Sequence, residues 1–111
     1  MNAESKNNKP RLSNAQVKQY RALAHQLNPI VTIAGAGLSE GVMLELDRAL
    51  RDHELIKIKV AVGDREARDA LIDELCDRCK AVLIQRIGHT ATLLRRNPQA
   101  DPRKSNLMRS Q

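Results

Sequence analysis

The clearest hydrophobic pattern in this chain is a strict alternation near its centre. The apolar positions are Ile56, Ile58, Val60 and Val62, and they are separated by Lys57, Lys59 and Ala61. A period of two is typical of a β-strand, because successive side chains point to opposite faces of a sheet. The pattern therefore predicts a strand with one buried face and an opposite, lysine-bearing face that contacts solvent or a partner.

Three segments show the apolar spacing of helices. The first begins at Ser13, where Gln16 completes a capping box, and it ends before Pro29. The second begins at Ser39 and the third at Asp64, since both residue types favour helix N-caps. The positions predicted to be buried are Val17, Tyr20, Ala24 and Leu27 in the first helix, Val42, Leu46, Ala49 and Leu50 in the second, and Leu71, Ile72, Leu75, Cys76 and Cys79 in the third.

Three further apolar segments are predicted strands, over about 30–34, Val82–Ile87 and Thr90–Arg95. Gly88-His89 separates the last two, and a two-residue turn with glycine first favours a tight hairpin. The predicted order is α-β-α-β-α-β-β. Because alternating elements must bury their apolar sides, we predict an α/β (α+β) fold in which helices pack on a four-stranded mixed sheet.

A small-residue segment connects the first strand to the second helix. It reads Ala34-Gly35-Ala36-Gly37, and we call it the glycine loop (residues 34–37). Glycines let backbone N–H groups approach an anion, and the first-turn amides of the following helix point toward it. The same geometry serves nucleotides and nucleic-acid backbones, so the loop alone does not select a ligand.

The excess positive charge lies at the two ends of the chain. Residues 1–12 hold three basic and one acidic side chain, residues 95–111 hold five and one, and residues 13–94 hold eleven of each. We therefore predict a flexible basic N-terminus (1–12), one folded domain (13–96) and a disordered basic tail (97–111). Basic ends on a neutral domain indicate an anionic polymer as partner, although merely soluble ends have the same composition.

Two sequence features bear on location. The chain has no run of about twenty apolar residues, and residues 1–12 are polar, so we expect neither a membrane span nor a secretion signal. Two cysteines, Cys76 and Cys79, fit a reducing compartment better than a disulfide scaffold. We therefore expect a cytoplasmic protein.

The motifs for nucleotide and metal binding are incomplete. A P-loop requires a lysine after its last glycine, but Leu38 follows Gly37. A dinucleotide fingerprint requires glycine where Glu40 stands. Cys76 and Cys79 form at most half of a zinc site, and we predict that they are buried, reduced core residues.

No catalytic constellation is predicted either. Asp52-His53-Glu54 has no serine or cysteine nucleophile nearby in sequence, and we predict that His53 is structural or exposed. The sequence therefore predicts no catalytic residue, no metal and no cofactor. Tyr20 is the single aromatic residue and lies on a buried stripe, so base stacking on exposed aromatics is excluded. An RNA partner would be gripped by its backbone, as the Gly-x-x-Gly loop of the KH module does.

A family resemblance rests on several motifs at fixed intervals. They are Leu27-Asn28-Pro29-Ile30-Val31, Gly37-Leu38-Ser39-Glu40-Gly41-Val42, His53-Glu54-Leu55-Ile56-Lys57-Ile58-Lys59, Asp64-Arg65-Glu66 and Gln85-Arg86-Ile87-Gly88. Over roughly 13–96 the chain resembles a bacterial YhbY-type CRM domain (chloroplast RNA splicing and ribosome maturation). The resemblance implies a fold similar to the C-terminal domain of translation initiation factor three. It also implies RNA binding through the glycine loop and association with precursors of the large ribosomal subunit.

The chain departs from the family pattern at a few positions. The family loop is usually Gly-x-x-Gly, but Ala34 stands where the first glycine belongs. An alanine in the left-handed conformation would cost about 1 kcal/mol or more, so either position 34 is not left-handed or the turn is shifted by one residue. Ala36 stands where lysine or another polar residue is frequent, His89 where lysine is frequent, and Leu94 where tyrosine is frequent.

We therefore predict a monomeric, non-enzymatic RNA-binding protein that acts in assembly of the large ribosomal subunit, with rRNA rather than DNA or a membrane as its partner. Main-chain amides of residues 35–37 and the helix start at Ser39 would hold one or two phosphates, while basic side chains and the tail supply diffuse attraction. The predicted site residues are Gly35, Ala36, Gly37, Leu38, Ser39, Lys18, Arg21, Lys57, His89, Arg95 and Arg96. The alternative is a protein-interaction module that docks on a ribosomal protein or enzyme without contacting RNA.

Overall fold

A four-stranded mixed sheet organises the computed structural model, which describes residues 11–107. The helices are α1 (Asn14–Ala24), α2 (Glu40–His53) and α3 (Arg65–Cys79), and the strands are β1 (Pro29–Ile33), β2 (Leu55–Val60), β3 (Val82–Ile87) and β4 (Thr90–Leu94). The sheet order is β1-β2-β4-β3; β1 is parallel to β2, and β4 is antiparallel to both of its neighbours. The predicted order of elements and the predicted mixed sheet are confirmed.

Each helix is capped by the residue that the sequence predicts. The Gln16 amide donates to Ser13 Oγ, and the Ser13 amide donates to Gln16 Oε1, so the capping box at α1 is complete. Ser39 and Asp64 each accept a hydrogen bond from the amide three residues further along. These side chains satisfy first-turn amides that a helix leaves without an internal partner.

The alternating face of β2 lies in the main hydrophobic core. Ile56, Ile58 and Val60 are all fully buried there, as the alternation predicts. Helices α2 and α3 cover this side of the sheet because each presents one apolar stripe to it. Their buried members are Leu46, Ala49 and Leu50 from α2 and Ile72, Leu75, Cys76 and Cys79 from α3.

Helix α1 packs on the opposite face of the sheet, where it covers Leu55, the first residue of β2. The second buried cluster consists of Tyr20, Ala24, Leu55, Ile84 and Leu94. The prediction that this face of β2 contacts solvent or a partner is therefore wrong at the start of the strand, where α1 packs. Further along, Lys57 is half-buried and Lys59 is exposed.

A buried carboxylate joins α2 to β2. Glu54 is 1% exposed and has a φ of 63°, which is uncommon for a residue other than glycine. Its Oε1 accepts a 2.7 Å hydrogen bond from the Ser105 hydroxyl, and its Oε2 accepts one of 2.5 Å from the Asn97 amide. The Arg96 guanidinium lies 3.5 Å from the same Oε2. A carboxylate can be buried only with such partners, so Glu54 ties this junction to the chain that follows β4.

That following chain, which we call the C-terminal segment (residues 97–107), packs against the domain. The Asn106 amide donates to the His53 carbonyl at 3.0 Å, and the Asn106 side chain donates to the Leu55 carbonyl at 2.6 Å. His53 Nδ1 lies 2.8 Å from the Lys104 carbonyl oxygen, which gives His53 a structural role, one of the two alternatives that the sequence left open. The prediction of a disordered tail over 97–111 is wrong for residues 97–107, because main-chain and side-chain hydrogen bonds fix them. Residues 108–111 lie outside the described residues.

The predicted flexible N-terminus (1–12) falls mostly outside the described residues. Only Arg11 and Leu12 of it are described, and Leu12 is half-buried against the second cluster. The packed part of the chain therefore begins before Ser13. Among residues 11–107, no helix is both long enough and apolar enough to cross a membrane.

Replacing Ser105 with alanine tests the role of the buried carboxylate. Ser105 is itself fully buried, and its hydroxyl also accepts a 3.2 Å hydrogen bond from the Leu107 amide. We expect Ser105→Ala to lower the free energy of unfolding by about 1–3 kcal/mol, because a buried charge loses a donor. Urea denaturation measures the change. Arg103→Ala is the control, since that side chain is 89% exposed and pairs with Asp101; equal midpoints for the two variants would contradict the assignment.

Candidate nucleic-acid interface

The glycine loop forms a tight turn between β1 and α2. The Gly37 amide donates to the Ala34 carbonyl at 2.8 Å, which closes a four-residue β-turn. Of the four loop residues, Gly37 alone has a positive φ, of 68°. Ala34 is therefore not left-handed, and its side chain adds no backbone strain. This settles the choice that the sequence left open at position 34.

Only some of the loop amides are available to a ligand. The Gly37 amide is used within the turn, and the Ser39 amide donates to the Gly37 carbonyl at 3.0 Å. The prediction that all the amides of residues 35–37 and the Ser39 amide face a ligand is therefore wrong at Gly37 and Ser39. Within residues 11–107, no acceptor is present for the amides of Gly35, Ala36 and Leu38.

The surroundings of the loop are open. Gly35 and Ala36 are exposed, and no heavy atom lies within 4 Å of the position that a β-carbon would take on Gly35 or Gly37. Leu38 holds the end of the loop in place, because its side chain packs against the main core. The loop thus presents main-chain donors to solvent from an anchored base.

Three connections lie side by side along the border of the sheet where β1, β2 and β3 end and β4 begins. The Ala61 amide donates to the Ile33 carbonyl at 2.8 Å, and the Val60 amide donates to the His89 carbonyl at 2.6 Å. These bonds place the glycine loop, the turn after β2 and the hairpin turn at Gly88-His89 in a row. We call this the loop edge. His89, a predicted site residue, therefore lies at the same edge as the glycine loop.

The other predicted basic residues are not brought to the loop edge. Lys18 and Arg21 are exposed on α1, which packs on the opposite face of the sheet around the first residue of β2. Lys57 is half-buried within β2, where it pairs with Pro29 of β1 and Thr92 of β4. These three side chains remain predictions as RNA contacts, but they do not share a surface with the glycine loop's turn.

Arg95 has a structural role. Its Nη1 donates to Asp47 Oδ1 at 2.9 Å and to the Cys79 carbonyl at 3.1 Å, while Nη2 donates to the Asp47 carbonyl at 3.0 Å. The guanidinium thus clamps α2 and the end of α3 to the end of β4. Arg95 stays a predicted RNA contact, although three hydrogen bonds already hold its guanidinium within the fold. Arg96 keeps a side chain that is 62% exposed, although its Nε lies near Glu54.

Three arginines that sequence reasoning did not include line a groove at the loop edge. They are Arg65 and Arg68 on α3 and Arg86 on β3. Two of them, Arg65 and Arg86, lie within the family motifs. Because residues 13–94 contain equal numbers of basic and acidic residues, the charge count did not indicate a basic surface there. Spacing on α3 gives a partial signal, because residues three apart lie on one face of a helix.

The cysteines behave as core residues. Cys76 and Cys79 are buried and do not form a disulfide, which confirms the predicted buried, reduced state. Burial raises the pKa of the Cys79 thiol above its ordinary value, and the nearby Arg95 cation offsets part of this effect. Within residues 11–107, no group of three or more potential ligands could hold a metal ion.

Together the fold and the open loop define a small α/β module that offers main-chain donors at a helix N-terminus. The sequence profile of the CRS1 / YhbY (CRM) domain matches residues 12–95, and the chain belongs to this family.

Relatives with similar sequences carry RNA-binding names. A probable RNA-binding protein of Pseudomonas aeruginosa is 46% identical over 98 residues, covering 88% of this chain and 94% of the relative. An RNA-binding protein of Haemophilus influenzae is 45% identical over 96 residues, covering 84% and 97%. The solution structure of a Staphylococcus aureus protein matches with a TM-score of 0.71 at 27% identity, covering 82% of this chain and 95% of that one.

Substitution by alanine should affect the free energy of unfolding differently at the two loop glycines. Gly37→Ala should lower the free energy of unfolding by about 1 kcal/mol, because an alanine with a positive φ is strained. Gly35→Ala should leave stability unchanged or raise it by up to about 1 kcal/mol, because its φ is not positive and its surroundings are open. Urea denaturation of both variants measures the difference. Equal midpoints would contradict the loop conformation.

The cysteines should resist alkylation in the folded protein. A pKa raised above the ordinary value leaves the Cys79 thiol protonated at neutral pH, and the thiolate is the reactive form. We expect iodoacetamide to modify Cys76 and Cys79 at least about tenfold more slowly in the native protein than in urea, since both are also buried. Mass spectrometry of timed samples measures the rates. Equal rates in the two conditions would contradict the buried state.

Proposed function

We propose that this protein binds RNA and acts in assembly of the large ribosomal subunit, with the glycine loop gripping the rRNA backbone. The observation that carries the proposal is the exposed loop, in which the amides of Gly35, Ala36 and Leu38 have no acceptor within residues 11–107. Successive main-chain N–H groups in a turn of this kind bind the oxygens of phosphate groups. The family and the RNA-binding names of its relatives support RNA as the source of that phosphate.

The mode of binding follows from which side chains the domain lacks. Tyr20 is 8% exposed and lies in the second cluster, so it is not available to stack on a base. Recognition therefore relies on the phosphate backbone and on shape, with no reading of several splayed bases. Such binding weakens strongly as salt increases, because each phosphate contact releases condensed counterions.

The ribosomal role is the finer part of the proposal and draws on the family resemblance. In this proposal the protein is a cytoplasmic monomer that acts on precursors of the large subunit. Cross-linking in cells followed by sequencing of the bound fragments tests it. Fragments concentrated in large-subunit rRNA are expected, and fragments spread over messenger RNA would contradict the ribosomal role while leaving RNA binding intact.

A charge placed on the loop tests the binding mode directly. Gly35→Glu introduces a carboxylate at a position where the backbone and the surrounding space accept a side chain. We expect this variant to bind a single-stranded rRNA fragment about tenfold more weakly, because the carboxylate repels phosphate. Fluorescence anisotropy at several salt concentrations measures the affinity, and circular dichroism checks the fold.

Two control variants separate charge and position. Gly35→Ala changes the same position without charge, and Gln99→Glu adds the same charge at an exposed position of the C-terminal segment, which follows the opposite end of β4. Both should bind within about twofold of the unaltered protein. Equal affinities for Gly35→Glu and Gln99→Glu would refute the role of the loop. An association with ribosomal particles that survives RNase would favour the protein-interaction alternative.

A further inference from the structure

A second basic surface lies at the loop edge, apart from the glycine loop. It is a groove of about 360 Å³, which we call the arginine groove, lined by Arg65, Arg68, Asp69, Arg86 and Gly88. Three guanidinium groups face one carboxylate, so the lining carries a net charge of +2. An excess of this kind in a concave site raises the local concentration of anions.

The arginines of the groove are held in place but keep unused donors. Arg68 Nη1 donates to the Gly63 carbonyl at 3.2 Å and lies 3.3 Å from His89 Nε2. Arg86 Nε pairs with Asp69 Oδ1 at 3.2 Å. A guanidinium has five N–H donors, so these contacts orient the two groups without satisfying them. No partner of the Arg65 side chain is found within residues 11–107.

The groove lies at a fixed separation from the glycine loop. The Ala61 amide donates to the Ile33 carbonyl and the Val60 amide donates to the His89 carbonyl, so the hairpin turn lies two strand spacings from the end of β1. Two spacings between neighbouring strands amount to roughly 10 Å. The KH module clamps about four nucleotides of backbone with its own loop, which is more than enough chain to cover such a distance.

We propose that the arginine groove is a second contact for the RNA backbone. An RNA strand bound at the glycine loop runs along the loop edge and places another of its phosphates between Arg65 and Arg68. This inference rests on the proposed RNA-binding function. Phosphate is the group that fits best, because guanidinium planes bind its oxygens in pairs.

The variant Arg65→Ala/Arg68→Ala tests the groove, with Arg78→Ala/Lys80→Ala as the matched control. The control removes the same number of positive charges, from two exposed residues at the far end of the same helix and its C-cap. Residues 65 and 78 are about 20 Å apart along the helix axis. We expect the groove variant to bind an eight-nucleotide single-stranded RNA about tenfold more weakly, with a salt slope reduced by roughly 0.7 for each lost phosphate contact. The control variant should stay within about twofold.

The length of the RNA distinguishes the groove from the loop. In NMR titrations, a two-nucleotide RNA should shift the amide resonances of Gly35 and Ala36 but not those of Gly88 and His89, whereas the eight-nucleotide RNA should shift both sets.

Equal affinity and salt slope for the groove variant and its control, while Gly35→Glu still loses binding, would contradict the role of the groove and leave the role of the loop intact. If the unaltered protein binds no RNA, both proposals fail. Loss of an RNase-resistant protein partner in the groove variant, with RNA affinity retained, would also overturn it.

Discussion

The geometry of this protein depends on the central strand β2, which pairs with a neighbour on each side. Its side chains pack in two separate hydrophobic clusters. Ile56, Ile58 and Val60 lie in the main core with α2 and α3, and Leu55 lies in the second cluster with α1. A shift of one residue would exchange these two sets, so the register is strongly fixed. The main chain at the end of the same strand then holds Ile33 on one side and His89 on the other. The strand that forms the core therefore also sets the spacing of the loop edge.

Positive charge in the folded protein is distributed differently from positive charge along the sequence. Two of the basic residues near the C-terminus pair with carboxylates of the fold: Arg95 clamps Asp47, and the largely exposed Arg96 places its Nε near Glu54. The central region is neutral by count, yet the fold gathers Arg65, Arg68 and Arg86 on one groove. Because charges act through distance in space, a balance taken along the chain does not reveal such a groove.

Features that depend on local chemistry could be predicted from the sequence. The alternation at Ile56–Val60 identified the central strand, and Ser13, Ser39 and Asp64 marked the helix starts because N-caps act over three residues. The left-handed residue of the loop could not be located, because Ala34 and Gly37 allowed two placements of the turn. Glu54 was grouped with Asp52 and His53, since its partner Ser105 lies 51 residues away in sequence. The role of Arg95 was missed for the same reason.

The C-terminal segment bears on how this domain can be cut from its chain. The family profile ends at residue 95, yet Asn97 and Ser105 supply the two hydrogen-bond donors to the carboxylate of Glu54. A minimal domain trimmed to the profile would leave a buried acid without these hydrogen-bond donors, which costs folding free energy. Useful expression boundaries therefore lie beyond residue 107.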